Sequence, residues 1–476
     1  MTADVPDRRR SRLTLAITSV AVFMVSIEIT IISLALPEIR AAFPHASEST
    51  LSWVITAYNI GVASLLLTSG WLADRSGRRR LFLIGLGVFA VGSLGAGLAI
   101  SPTMLITARV VQSVGGALQF PAGLALLFAA FPPNRVQVAV GIWAGMGGLA
   151  AATGPTLGAL LVEGLGWRAI FLFNVPIAAL GLVAGLRWLD ESVSQDIARR
   201  VDVLSVPMAS IGVGMAILGM VQGRSWGWGS WPVIGSFAAA ALLIAGFVAR
   251  SRTHPAPLFD LGLFRLRTFA MANLGTVAFA AAFFSWLVLL PTYIQNVWGW
   301  SVLETGFAIA PGPLVSSLVS PVSGRLANRC GHAPLLVVAG ISGATGLGLQ
   351  LLLLDTTPGY VSGLLVPGLL IGLAAGLGFA QLVAASMREV SPARYAMAGA
   401  GRTTVFQLTT ALGIALAFTL VGRPDGPDAL LAGMQRTWWF GLGAYLALAV
   451  IFAFFYPSST TERANHRSLA RPRVGA

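Results

Sequence analysis

Long apolar stretches alternate with short polar breaks along the whole chain. A helix rises about 1.5 Å per residue and the hydrocarbon core of a bilayer is about 30 Å thick, so about 20 apolar residues suffice to cross it. Runs of that kind, bounded by Arg, Pro, Asp or Gly-rich breaks, predict fourteen helical spans: 13–36, 51–73, 81–100, 104–129, 138–162, 169–186, 204–221, 233–248, 269–294, 302–326, 335–354, 361–387, 398–421 and 438–455. The first run is too long for a cleaved signal, whose apolar core is about 7–15 residues, and it carries Glu28. It is expected to remain as span 1.

Composition strengthens this reading. A soluble chain of 476 residues would form several domains, but 56% of this one is hydrophobic and 10% charged, with a mean hydropathy of +0.79. Soluble proteins average about 25% charged residues, so lipid must be the main solvent here. All 31 basic residues are arginine, and the net charge of +13 therefore persists near pH 7. That charge does not indicate nucleic-acid binding, because the arginines sit in the breaks: 24 of the 31 fall on one side of the alternating spans, together with both chain ends, against 5 on the other side. The positive-inside bias then places both termini in the cytoplasm. Lys-free, Arg-rich usage fits a GC-rich bacterial genome, and hence a bacterial plasma membrane. The single cysteine, Cys330, excludes an intramolecular disulfide and a Cys-based metal cluster, and only four His are present. There is no phosphate loop, nucleotide motif or HExxH pair. No cofactor, metal site or enzyme activity is expected.

The chain repeats itself at an offset of 254 residues: Gly70-Trp71-Leu72-Ala73-Asp74-Arg75-Ser76-Gly77 recurs as Gly324-Arg325-Leu326-Ala327-Asn328-Arg329-Cys330-Gly331, and Leu36-Pro37 maps onto Leu290-Pro291. Spans 1–6 therefore correspond to spans 9–14, and spans 7 and 8 are an inserted pair, a 6+2+6 plan. The expected organisation is a cytoplasmic tail (1–12), a six-helix bundle (13–188), the inserted pair with its flanking loops (189–267), a second six-helix bundle (268–457) and a basic cytoplasmic tail (458–476). At the same offset Glu28 and Arg109 correspond to Ala282 and Gly363. A pair needed for generic helix packing would be expected in both halves.

With these motifs the chain resembles the major facilitator superfamily, and within it the fourteen-helix drug:proton antiporters. Gly70 to Arg80 (GWLADRSGRRR) resembles the superfamily's loop signature after helix 2. Ala108 to Pro121 resembles the helix 4 motif, with Ser113 where Gly is usual. Gly148 to Leu161, built on Gly154-Pro155 and Gly158, is similar to the helix 5 antiporter motif. Glu28 and the ITIISLALPEI that follows it resemble the subgroup's helix 1 motif, which usually carries Asp. WVITAYNI, GWRAIFLFNVP and LPTYIQNVWGWS are also similar to that subgroup. The resemblance covers nearly the whole chain. It implies an all-α membrane protein of the major facilitator fold that works as a monomer and exports drug-like small molecules in exchange for protons.

Physical chemistry singles out some of the same residues. Glu28 and Arg109 lie within spans, where each charge costs about 2.5–3.5 kcal/mol on insertion scales, so each needs a partner or water. Either they couple protons or substrate, or they form a structural pair that pins two helices. Asp74, Arg75, Gly77 and Arg78 form a short charged turn after span 2, with Gly70 before it and Gly324 and Arg329 at the repeat positions. Asp74 is expected to hold arginines or a neighbouring helix N-terminus in one transporter state and release them in another, unless the loop is plain topology-setting charge. Gly141 with Gly145, and Gly154 with Gly158, make small-residue stripes, and Pro155 is expected to kink span 5. Arg402 lies near the arginine-rich end of span 13, where snorkelling is the simpler reading and lining the cavity the other. Asp202 is read as a cap of span 7, and Glu304 and Asp355 as solvated. Tryptophans at 226, 228, 231, 298 and 300 are read as interfacial anchors. Tyr58, Asn59, Gln112, Gln119, Asn174, Tyr293, Gln381 and Gln407 are candidates for a substrate cavity. Three function classes compete: a proton-driven exporter, a proton-coupled uptake symporter of the same fold, and a polytopic membrane enzyme or structural protein. The third lacks any clustered acid/base or metal constellation.

Overall fold

The computed structural model describes residues 8–192, 202, 204–254, 257–391, 394–422, 424 and 426–457. The predicted tail at 458–476 and most of the predicted one at 1–12 lie outside the described residues. Backbone N–H and C=O groups have no water to bond in hydrocarbon, so a chain this apolar satisfies them along its own helices. Among the described residues there is no strand. The helices are α1 (Arg8–Ala42), α2 (Glu48–Ser76), α3 (Arg78–Gly97), α4 (Pro102–Ala130), α5 (Pro133–Leu165), α6 (Ala169–Leu172), α7 (Asn174–Trp188), α8 (Ser205–Trp226), α9 (Trp231–Thr253), α10 (Arg267–Val297), α11 (Val302–Ile309), α12 (Pro311–Cys330), α13 (His332–Leu353), α14 (Val366–Met387), α15 (Tyr395–Val421) and α16 (Pro427–Val450). Short π-helical turns precede α14 and follow α16.

Thirteen helical stretches among the described residues are long and apolar enough to cross a membrane, and α5 contains a further apolar helix, Val138–Ala150. Local chemistry sets the boundaries. Ser47 and Ser101 accept the backbone N–H of Thr50 and Met104, capping α2 and α4. Ser301 and Glu304 form a reciprocal capping box on α11, so Glu304 has a defined local role. Pro at the first turn starts α4, α5, α9, α12, α14 and α16. The helix α5 continues through Pro155.

Packing follows the internal repeat. In the first set α3 and α2 pack on α4, α1 on α5, and α7 on α3; in the second α13 and α12 pack on α14, α10 on α15, and α16 on α13. The two sets meet through α5 against α12 and α2 against α15, while α8 packs on both α2 and α15 and carries α9. Gly141 of α5 lies so close to α12 that an added Cβ would stand 2.5 Å from the Ser320 carbonyl oxygen. Apolar side chains such as Leu165, Leu242, Leu352 and Phe454 are exposed, as expected of a surface solvated by lipid. Trp231 is exposed, whereas Trp298 is buried and donates its indole N–H to the Asp355 carbonyl oxygen at 3.0 Å. Trp298 is therefore a packing residue rather than an interfacial anchor.

Candidate functional site

Glu28 and Arg109 meet inside the first set of helices, and both are completely buried. Arg109 and Gln112 lie one helical turn apart on α4 and so face the same way. Arg109 donates to one carboxylate oxygen of Glu28. The other oxygen accepts the side-chain N–H groups of Gln112 at 3.0 Å and Asn174 at 2.6 Å. The guanidinium is held in turn: its Nε donates to the Val54 backbone carbonyl oxygen at 3.0 Å, Nη1 also donates to the Gln112 side-chain oxygen Oε1 at 2.6 Å, and the Tyr58 ring lies 4.2 Å from its central carbon. Gln112 also donates to the Ser93 hydroxyl at 2.8 Å. Gly92, beside Ser93, permits that contact, since a Cβ there would stand 2.4 Å from the Gln112 backbone nitrogen. Five helices thus converge on one carboxylate. Two amide donors and a guanidinium offset the cost of burying it. Both carboxylate oxygens are therefore occupied, one by Arg109 and the other by the two amides.

A second cluster lies at the junction of α2 and α3. Gly77 adopts φ +106°, a left-handed conformation that separates the two helices, and an added Cβ would collide with the Glu191 carboxylate. Glu191 accepts the backbone N–H groups of Arg79 and Arg80 at 3.0 and 3.1 Å, serving the open N-terminus of α3. Arg78 donates twice to Asp74, at 3.0 and 2.7 Å, in a fully buried pair. The other oxygen of Asp74 accepts the Met397 N–H at 2.8 Å. Met397 belongs to the first turn of α15, so this carboxylate ties the first set of helices to an N-terminus in the second. Arg75 stacks on Trp71 at 5.6 Å. At the repeat positions Gly331 again has positive φ, +80°, but Asn328 and Arg329 are exposed. His332, the counterpart of Arg78, is buried and bonded to Gln381 at 2.8 Å, and Gln381 donates to Ser323 at 2.8 Å. Gly70, Gly154, Gly158 and Gly324 are all buried.

The polar cavity candidates divide. Tyr58, Gln112 and Asn174 belong to the Glu28 network. Gln119, two turns along α4 from Gln112, is buried with neither amide atom bonded. Tyr293 donates to the Asp355 carbonyl oxygen at 2.9 Å and packs on Trp298 within the second set. Gln381 is taken up by His332, and Asn59 and Gln407 are half-buried outside the network. Ser93 and the Val54 carbonyl were not candidates, because nothing in a lone Ser or a backbone oxygen marks it before the helices are assembled. Arg402 is 5% exposed. Asp202 bonds the backbone and hydroxyl of Ser205 at the start of α8 and accepts from Arg250 at 2.5 Å. Burial opposes its ionisation, but these bonds and the Arg250 charge outweigh that and hold its carboxyl below the usual range. No group of three or more His, Cys, Asp or Glu among the described residues could hold a metal ion.

Known proteins share both sequence and fold with this chain. The Major Facilitator Superfamily profile matches residues 18–414 and 274–475. The tetracenomycin C resistance and export protein of Streptomyces glaucescens is 34% identical over 424 residues, 88% of this chain and 77% of that protein. The multidrug resistance protein Stp of Mycobacterium tuberculosis is 35% identical over 419 residues, 87% of this chain and 76% of that protein. The crystal structure of the human organic anion transporter MFSD10 (TETRAN) superposes with a TM-score of 0.68 at 15% identity, covering 93% of this chain and 99% of that one, a likeness of fold. With a family profile spanning most of the sequence and relatives above the level at which folds and families coincide, this multi-pass membrane protein belongs to the Major Facilitator Superfamily.

Proposed function

We propose that the chain is a proton-driven exporter of hydrophobic or amphipathic small molecules, working by alternating access in a bacterial plasma membrane. Its relatives' names, resistance and export proteins for antibiotics and other drugs, support export over uptake by the same fold. Spans 1–6 and 9–14 form the two halves, spans 7 and 8 the inserted pair, fourteen in all, and both termini face the cytoplasm.

The observation that carries proton coupling is the lone deep carboxylate of Glu28, held by donors from α4 and α7. An ionisable group inside a span is costly and marks a proton or substrate path by default. While Arg109 is seated it pairs with the carboxylate. A rocking of α1 against α4 that withdraws the guanidinium leaves it unpaired and buried, where the neutral acid is favoured and a proton is taken up. Return of Arg109 expels the proton to the other side. One deep acid gives about one proton per cycle. Asp74 acts as the gate: it clasps the α15 N-terminus in the state described and releases it when the halves rock. Gly70, Gly77 and the α5 glycines permit the close contacts that open and close with it.

Gradient-driven transport in proteoliposomes tests the reading. Glu28→Gln, which mimics the protonated acid, should abolish export driven by an imposed pH gradient while leaving passive substrate exchange measurable. Wild-type accumulation by that variant would make Glu28 structural and place coupling elsewhere.

A further inference from the structure

The second half contains a charge with no counterpart in the first. Arg402 lies on α15, 5% exposed, its Nε buried without a hydrogen-bond partner. No hydrogen bond or ion pair links its guanidinium to any described residue; its one neighbour of note is the Phe406 ring, 5.9 Å from the central carbon. An unpaired cation at that depth is costly, and a buried polar group without a partner calls for an explanation.

Position supplies one. Along α15, Met397 meets Asp74, and Gly399 faces Leu124 of α4. Both contacts join the two halves. Arg402 and Phe406 stand three and seven residues beyond Gly399, on the same helical stripe, so they come next past the closed junction along α15. The Phe406 ring packs 5.6 Å from Phe284 and 5.9 Å from Phe379, and Phe379 packs 5.4 Å from Phe283. A partnerless guanidinium therefore borders an aromatic wall at the inner edge of the junction.

We propose that Arg402 and the Phe284–Phe379–Phe406 wall form the substrate site for an aromatic organic anion, the guanidinium pairing with the acidic group and the rings stacking on the body. This deepens the exporter reading and rests on it. The arrangement is pre-organised, because the cation's cost is met before the ligand arrives and is recovered when the ligand's acid pairs with it.

The test compares two fluorescent probes that share a ring system, anilinonaphthalene sulfonate and uncharged N-phenylnaphthylamine, binding to the full chain in nanodiscs of zwitterionic lipid, with empty nanodiscs subtracted. Wild type should bind the sulfonate at least about tenfold more tightly than the uncharged probe, as a charged hydrogen bond allows. Arg402→Gln should lose about tenfold for the sulfonate and stay within about twofold for the uncharged probe. Arg402→Lys, which keeps the charge but not the fork, should retain most of the preference. Removing an unpaired charge should not impair folding, and Arg402→Met gives the same reading. Equal loss for both probes, or a wild type that does not favour the sulfonate, overturns the proposal. Export driven by a pH gradient is scored separately with both probes. A chain that keeps the Arg402-dependent preference but moves neither probe defeats the exporter reading and leaves the site, whereas driven export of the uncharged probe with no anion preference does the reverse.

Discussion

The two repeat-related halves share a packing plan but not a chemistry. The first places Glu28, Arg109 and their amide partners at the heart of its bundle and a buried Asp74–Arg78 pair at its edge. At the same offset the second has Ala282 and Gly363, then Asn328 and His332, and its interior is aromatic: Phe279, Phe283 and Phe379 pack edge to face or stacked, and Trp286 donates to Gln350 at 2.7 Å. Helix packing in this fold thus needs none of those charges. What the first half carries beyond its neighbour is available for the proposed coupling and gating, with the aromatic half as the proposed surface for the substrate body.

Removing Arg109 should have the largest effect on that contrast. Arg109→Ala leaves Glu28 buried without its cation, which costs about 3–5 kcal/mol, so folded yield and thermal stability in detergent should fall sharply. Arg402→Gln, which deletes a charge that has no partner among the described residues, should leave stability within about 1 kcal/mol of wild type or raise it. Similar losses in both variants would erase the distinction between a paired and a waiting arginine.

Next in size is Asp74, the proposed gate. Asp74→Asn weakens the bond to the Met397 N–H from a charged to a neutral one, a loss of about 1–2 kcal/mol, and transport at matched expression should drop about tenfold with the protein still folded. Asn328→Asp, which restores the charge at the exposed repeat position, should change transport less than about twofold, as surface charges commonly do. A strong effect at Asn328 would show that both loops gate equally.

The smallest effect belongs to Asp202, at the start of α8. The carboxyl of Asp202 titrates below its unfolded value of 3.8, so the ionised, bonded form contributes stability above that pH, and the contribution is lost as pH falls through the folded value. Asp202→Asn should therefore be less stable than wild type near neutrality, with the gap closing below about pH 4. A gap that persists in acid would mean that the side-chain shape at Asp202, rather than its charge, holds the start of α8.

Hydropathy made the helices legible because lipid leaves the backbone no other way to satisfy its polar groups, and the repeat made the pairing of halves legible because the same packing problem is solved twice. Glu28, Arg109 and Asp74 could be singled out in advance, since a charge in an apolar run is conspicuous by its cost. Their partners could not all be found that way. Ser93 and the Val54 carbonyl acquire meaning only when α2 and α3 approach α4. Tyr293 and Gln381 have the same polarity as Gln112 and Asn174, yet they are spent on local bonds far from the carboxylate.

By itself, the sequence determined that this protein spans a membrane many times, that its two halves are related, and that one half carries the deep acid, because each of these depends on residue type at a position. Tertiary structure alone decided which charges have partners. Glu28 is 81 residues from Arg109 and 146 from Asn174, and Asp74 is 323 from Met397, separations at which no local pattern constrains contact. The lack of a partner at Arg402 among the described residues is decided in the same way. A cation in an apolar run looks identical whether it pairs, reaches water or waits for a ligand, and only the packing of α15 against α2 and α4 distinguishes the three.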